Sequence, residues 1–103
     1  MAKRAVIWTE TAAKQRREVL KYWTMRNGSH EYAKKLIKIT KNRVNVIAKY
    51  PESGVTTQDG NTRMSAIGHF SIFYKVNDDT IFIVAFWDNR QDPASLLKLM
   101  QDH

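Results

Sequence analysis

The chain predicts an α+β fold: an N-terminal strand, an antiparallel helical hairpin, a three-strand antiparallel meander and a short C-terminal helix. Three observations carry that prediction. Ile81-Phe82-Ile83-Val84-Ala85-Phe86-Trp87 is a run of seven apolar residues, rich in β-branched and aromatic types, which reads as a strand buried on both faces and central to the sheet. Residues 12–26 and 30–50 carry apolar side chains at helical spacing, with only Asn27-Gly28-Ser29 between them. From Arg63 onward, short apolar runs alternate with turn formers at Gly68-His69 and Asn77-Asp78-Asp79-Thr80.

Taken in order, Ala5-Val6-Ile7-Trp8 forms the first strand. Thr9 or Thr11 then caps a helix from about Ala12 to Arg26, with Glu10 placed to complement its dipole. Ala12, Val19, Leu20 and Trp23 make its inner stripe; Lys14, Arg17 and Lys21 face water. Gly28 ends it, because glycine tolerates the left-handed conformation of a helix C-terminus. Ser29 is positioned to cap a second helix whose buried side is Ala33, Leu36, Ile37, Val44 and Ile47. Pro51 stops that helix by pushing the residue before it out of the helical region. So short a link makes the two helices an antiparallel hairpin.

Residues 52–62 read as the longest irregular piece of the chain. Three strands follow: Met64-Ser65-Ala66-Ile67, then Phe70-Ser71-Ile72-Phe73-Tyr74-Lys75-Val76, then the run at 81–87. A two-residue last turn pairs Val76 with Ile81, Tyr74 with Ile83, Ile72 with Ala85 and Phe70 with Trp87. Phe73, Phe82, Val84 and Phe86 then share the opposite face. Both faces are apolar, and the helical hairpin covers one. The other calls for the C-terminal helix, which Asp92 and Pro93 are suited to start, or for a partner.

At 103 residues there is room for one domain spanning 1–103. Seventeen Lys and Arg against ten Asp and Glu give a net charge of +7, which favours an anionic counterpart, nucleic acid or acidic protein. With no cysteine there is no disulfide framework and no thiolate metal site. The opening Met-Ala-Lys-Arg lacks the apolar stretch of a secretory signal, and no run is long enough to span a membrane, so the expected location is the cytoplasm.

The chemistry-bearing residues are few. His30, His69 and His103 are separated in sequence, and no His/Asp/Glu cluster has metal-ligand spacing. No Gly-rich phosphate loop or nucleophile elbow is present, so no cofactor is expected. His69 beside Gly68 reads as a turn residue. Arg63 and Arg90 stand at strand ends, where a guanidinium can fork onto phosphate or carboxylate. They are the candidate catalytic or target-binding residues, with Asp88 and Gln91 beside the second. The alternative is a structural pair with Asp59, Asp88 or Asp92. Trp8, Trp23 and Trp87 read as packing residues, and the lysines of the helices as solvated faces.

Pro51-Glu52-Ser53-Gly54 after the hairpin, Arg63 before the second strand of the meander series, the segment from Phe70 to Val76, and Asp88-Asn89-Arg90-Gln91-Asp92-Pro93 resemble in type and spacing the RelE/ParE superfamily of toxins from type II toxin–antitoxin systems. The resemblance covers nearly the whole chain. It implies a cognate acidic antitoxin as partner, seated on the apolar sheet face of Phe73, Phe82, Val84 and Phe86. Operator DNA is then met only through the antitoxin complex. The target is either DNA gyrase, as for ParE-like members, or the ribosome and its mRNA, as for RelE-like endonucleases. RelE-type nucleases place an arginine just after the aromatic that opens the third strand; here that position is Ser71. They also carry several basic residues after the last strand and a tyrosine or histidine further on; here Arg90 is the only basic residue there, and the region of the tyrosine reads Ala94-Ser95-Leu96-Leu97. The resemblance therefore leans towards ParE-like growth inhibition by binding. An mRNA endonuclease with a divergent site, and a plain basic nucleic-acid-binding module, are the other readings.

Overall fold

The computed structural model describes residues 4–90. Strand β1 (Ala5–Trp8) leads into helices α1 (Glu10–Asn27) and α2 (Glu31–Lys49) and a short 3-10 turn (Pro51–Ser53). Strands β2 (Val55–Thr56), β3 (Thr62–Ile67), β4 (Phe70–Asn77) and β5 (Thr80–Asp88) follow. They form one sheet in the order β1-β5-β4-β3-β2. β1 runs parallel to β5, and the other neighbours are antiparallel. The fold is α+β as expected, while the expected helix from Pro93 lies outside the described residues.

Local signals act where the sequence places them. Thr9 caps α1 by accepting a hydrogen bond from Ala12 N at its hydroxyl, and Gly28 ends the helix at φ 65°. At α2 the boundary moves by one residue: His30, not Ser29, is the N-cap, and it makes no side-chain cap bond. Ile37, expected inside, is 49% exposed, and the buried position of that turn is Thr40, at 3%. Residues 52–62 are more ordered than expected, since Val55 and Thr56 pair with Met64 and Arg63 as a fifth, edge strand. Such a polar two-residue strand carries no periodicity to read.

The seven-residue apolar run is an interior strand, but the middle of the sheet is β4. Its expected register holds at Val76 opposite Ile81 and Tyr74 opposite Ile83, and then slips. Phe73 pairs with Ala85, which leaves Val84 as an extra residue, a β-bulge. Beyond it Ile72 faces Phe86 and Phe70 faces Asp88, in place of the expected Ala85 and Trp87.

One inserted residue exchanges the faces of everything after it. Phe86, expected beside Phe73 and Val84, is 1% exposed within the core beneath the helices, with Ala12, Leu36, Ile47, Phe70, Ile72, Tyr74, Ile81 and Ile83. Ala85 and Trp87 cross to the second face, where they cluster with Phe73, Met64 and Val84. Phe82 stays on that face by alternation from Ile81 and Ile83.

Candidate functional site

β1 is only four residues long, and it pairs with β5 no further than Ile83. Among the described residues no strand pairs with the rest of β5 on that side, and α1 passes over this edge. Gln15 of α1 closes part of that edge: its Oε1 accepts a hydrogen bond from Phe86 N at 2.9 Å. What stays open is a cleft of about 630 Å³ between α1 and the end of β5. Gln15, Tyr22, Trp23, Arg26, Trp87 and Arg90 line it.

Asp88 and Arg90 sit at its mouth. Arg90 Nε donates to Asp88 Oδ1 at 2.9 Å, Nη2 donates to Oδ2 at 2.7 Å, and the backbone N of Arg90 also reaches Oδ1. This forked pair is the only ion pair among the described residues. The Arg90 hydrogen bonds hold the Asp88 carboxyl below its usual range, against a smaller opposing effect of burial. The carboxylate in turn raises the Arg90 guanidinium. The guanidinium also lies 4.5 Å from the centre of the Trp23 ring. Arg26 approaches the same ring at 5.7 Å and donates to the Tyr22 hydroxyl.

Two nitrogens in this wall have no partner among the described residues: Gln15 Nε2 and Trp23 Nε1, both shut off from solvent. The amide of Gln15 cannot simply be turned round, because its oxygen is held by Phe86 N. An unpaired buried donor costs about 1–3 kcal/mol, so two on one cleft is a local imbalance. Beside the cleft, Ser71, 4% exposed, donates its hydroxyl proton to Asn89 Oδ1, and Asn89 N donates to His69 O. His69 occupies the β3–β4 turn with Gly68 (φ 61°), as expected.

Arg63 belongs to another place. It pairs with Tyr74, which is level with Ile83, while Arg90 lies seven residues further on, just past the end of β5. At about 3.3 Å per residue the two arginines stand on the order of 20 Å apart. The Arg63 Nη1 donates to Gly54 O at 2.8 Å. Next to it the Tyr74 hydroxyl, fully buried, donates to Pro51 O at 2.6 Å and accepts from Gly54 N at 2.9 Å. Asp59, weighed above as a partner for Arg63, instead accepts from Thr62 N, Asn61 N and the hydroxyls of Thr62 and Thr57. These bonds, the Thr62 backbone first, hold its carboxyl at about 2.

Of the expected site residues, then, Asp88 and Arg90 come together, Arg63 stands apart, and Gln91 lies outside the described residues. Sequence reasoning missed Gln15 and Trp23, which look like ordinary α1 residues until β1 is known to stop short. It also missed the contact of Tyr74 with Pro51 and Gly54; a tyrosine on the core side of a strand, needing a partner for its hydroxyl, was the available signal. Among the described residues no three His, Asp or Glu side chains gather into a metal-binding group, and no helix is long and apolar enough to cross a membrane.

Comparison with known proteins agrees with this architecture. The family model of the ParE toxin of type II toxin–antitoxin systems, parDE, matches residues 6–93. A chain of the chromosomal ParDE TA system from P. aeruginosa superposes with a TM-score of 0.71 at 18% identity, covering 82% of this chain and 94% of that one. At that identity the likeness is one of fold. No curated protein sequence matches significantly. On the family match, which spans most of its length, the chain belongs to the ParE toxin family.

Proposed function

We propose that this chain is the toxin of a toxin–antitoxin pair, that it inhibits growth in the cytoplasm by binding DNA gyrase, and that a cognate acidic antitoxin neutralises it. The observation that carries the reading is the ParE family match across residues 6–93. The state of Ser71 supports binding over RNA cleavage. Where RelE-type nucleases keep an arginine, this buried hydroxyl is committed to Asn89. A hydroxyl supplies no positive charge to a pentacoordinate phosphorane. The remaining candidate cations do not converge either: Arg90 is forked onto Asp88, and Arg63 stands about 20 Å away on the Gly54 carbonyl.

The target surface in this reading is the cleft mouth, where Arg90 presents its outer side with Asp88 fixing its direction and Gln91 following. The antitoxin covers the second sheet face at Phe73, Phe82 and Val84. Phe86 drops out of that surface because the bulge turns it inward. A net charge of +7 draws in an acidic antitoxin, and operator DNA is reached through that complex.

Two assays run side by side test the proposal. Purified protein is added to gyrase in a supercoiling reaction, and in excess over ribosomes to a translated message read by primer extension. Inhibited supercoiling with an uncut message is the expected result. Codon-positioned cuts that vanish in Arg90→Ala, with supercoiling intact, would transfer the chain to the endonuclease reading.

A further inference from the structure

We propose that the outer face of the α1–α2 hairpin binds the phosphate backbone of duplex DNA directly. The charge of the chain is not spread evenly. Residues 10–49 hold eleven Lys and Arg against three Glu, a net +8, while the rest of the chain holds six against seven and is −1. The hairpin therefore carries the whole excess. Helical spacing sorts much of it into two rows. Lys14, Arg17 and Lys21 follow one another at i, i+3 and i+7 on α1, away from buried Ala12 and from Val19 and Trp23, which pack on the core. Lys34, Lys38 and Lys41 follow at i, i+4 and i+7 on α2, away from Ala33, Leu36 and Ile47. All six are exposed, and none enters an ion pair among the described residues. The rows border one groove, since Arg16 and Leu20 of α1 face Ile37, Lys41 and Val44 of α2 across it. The three glutamates do not interrupt them: Glu10 and Glu31 precede the rows in the first turns of their helices, and Glu18 lines the cleft beside β5.

The residue types select the partner. Five of the six cations are lysines. Lysine is a compact, strongly hydrated point charge that suits phosphate and is depleted from protein–protein interfaces, whose centres are aromatic and arginine-rich. A membrane-binding face sets several large apolar side chains among its cations, whereas Ile37 is the one exposed large apolar residue between these rows. The geometry favours DNA. Packed helices lie about 8–10 Å apart, and each row runs for about 10 Å along its helix. Lysine stems extend that spacing to both phosphate ridges beside the minor groove of B-DNA, which is about 6 Å wide; the wide, shallow minor groove of duplex RNA sets its ridges further apart. The choice of DNA also rests on the gyrase reading, because that target works on duplex DNA. The patch itself is separate from the proposed target surface: it lies on the side of α1 opposite Trp23, over whose ring Arg90 sits.

The test uses the whole chain without gyrase. Fluorescence anisotropy of a labelled DNA duplex of about 16 base pairs is followed between about 50 and 200 mM KCl, with the melting temperature of every variant recorded. Neutralising about four to six phosphates predicts that log K falls with log salt at a slope of about −4 to −5. Lys34→Gln/Lys38→Gln/Lys41→Gln should make that slope shallower by about 2 to 3 and weaken binding about tenfold or more at about 100 mM KCl, with melting temperature unchanged. Lys14→Gln/Arg17→Gln/Lys21→Gln should do the same. Lys75→Glu removes two units of charge at an exposed position level with Phe82, on the second sheet face, and should leave the slope as in the parent. An equal loss in Lys75→Glu would reduce the effect to net charge and overturn the proposal. Unchanged slopes in both row variants, equal binding of the same duplex made as RNA, or tighter binding of polyglutamate or of phosphatidylserine vesicles at the same salt would overturn it as well. Supercoiling is read separately: DNA binding without gyrase inhibition removes the gyrase reading and keeps the patch, and gyrase inhibition without DNA binding does the reverse.

Discussion

The two ends of the β3-β4-β5 meander solve the same problem in opposite ways. At the end near Tyr74, polar groups are buried and paired with each other: the Tyr74 hydroxyl joins Pro51 O to Gly54 N, and Arg63 closes the loop through Gly54 O. At the end near Arg90, the ion pair is half open to solvent, a cleft remains, and two donors go without partners among the described residues. The first arrangement serves stability, since every group it takes from water finds a replacement. The second leaves a local cost uncompensated among the described residues. In the proposed reading, stability belongs to one end and function to the other.

Gly54→Ala should have the largest effect on that division. An added Cβ would lie 2.9 Å from Tyr74 Cε1, and the Tyr74 ring is fully buried with nowhere to retreat. We expect a loss of about 2–4 kcal/mol in urea unfolding. A variant as stable as the parent would mean that the loop is not clamped. Tyr74→Phe comes next: it strands Pro51 O and Gly54 N, and about 1–3 kcal/mol should go, read by the same unfolding curves. Arg63→Ala removes one bond to a carbonyl and should cost about 1 kcal/mol.

Arg90→Ala should cost less than about 1 kcal/mol, because its side chain is 45% exposed and the pair is screened by water. The smallest effect concerns pH. Asp59 has its folded pKa lowered from 3.8 to about 2, so its stabilising contribution is present above about pH 4 and is lost as pH falls towards 2. Asp59→Asn should therefore flatten the acid limb of melting temperature over that window. An unchanged acid limb would mean that the turn at 57–62 does not hold Asp59 in solution.

Much of this frame could be read directly from residues. Thr9, Gly28 and Pro51 act through neighbours within a few positions, so the helical hairpin was legible almost to its boundaries. The turns at Gly68-His69 and Asn77-Thr80 fixed the meander for the same reason. The bulge at Val84 was not legible, because seven successive apolar residues give the alternation no polar mark from which a slip would show. That one residue moved Phe86 from the presumed partner face into the core. The cleft was hidden by a different cause: it exists because β1 ends at Trp8 while β5 runs on to Asp88, a mismatch between strands some 70 positions apart. Arg90 was found from its strand-end position, but its neighbours Gln15 and Trp23 could only be found in space.

The most direct test of the division is a supercoiling titration of gyrase with the parent protein, Arg90→Ala and Arg63→Ala, each with its melting temperature measured in the same buffer. Arg90→Ala should need about tenfold more protein for half-inhibition while its melting temperature stays within a few degrees of the parent. Arg63→Ala should melt earlier yet inhibit like the parent at temperatures where it is folded. Full inhibition by Arg90→Ala, or loss of inhibition by a folded Arg63→Ala, would contradict the assignment of function to the Arg90 end.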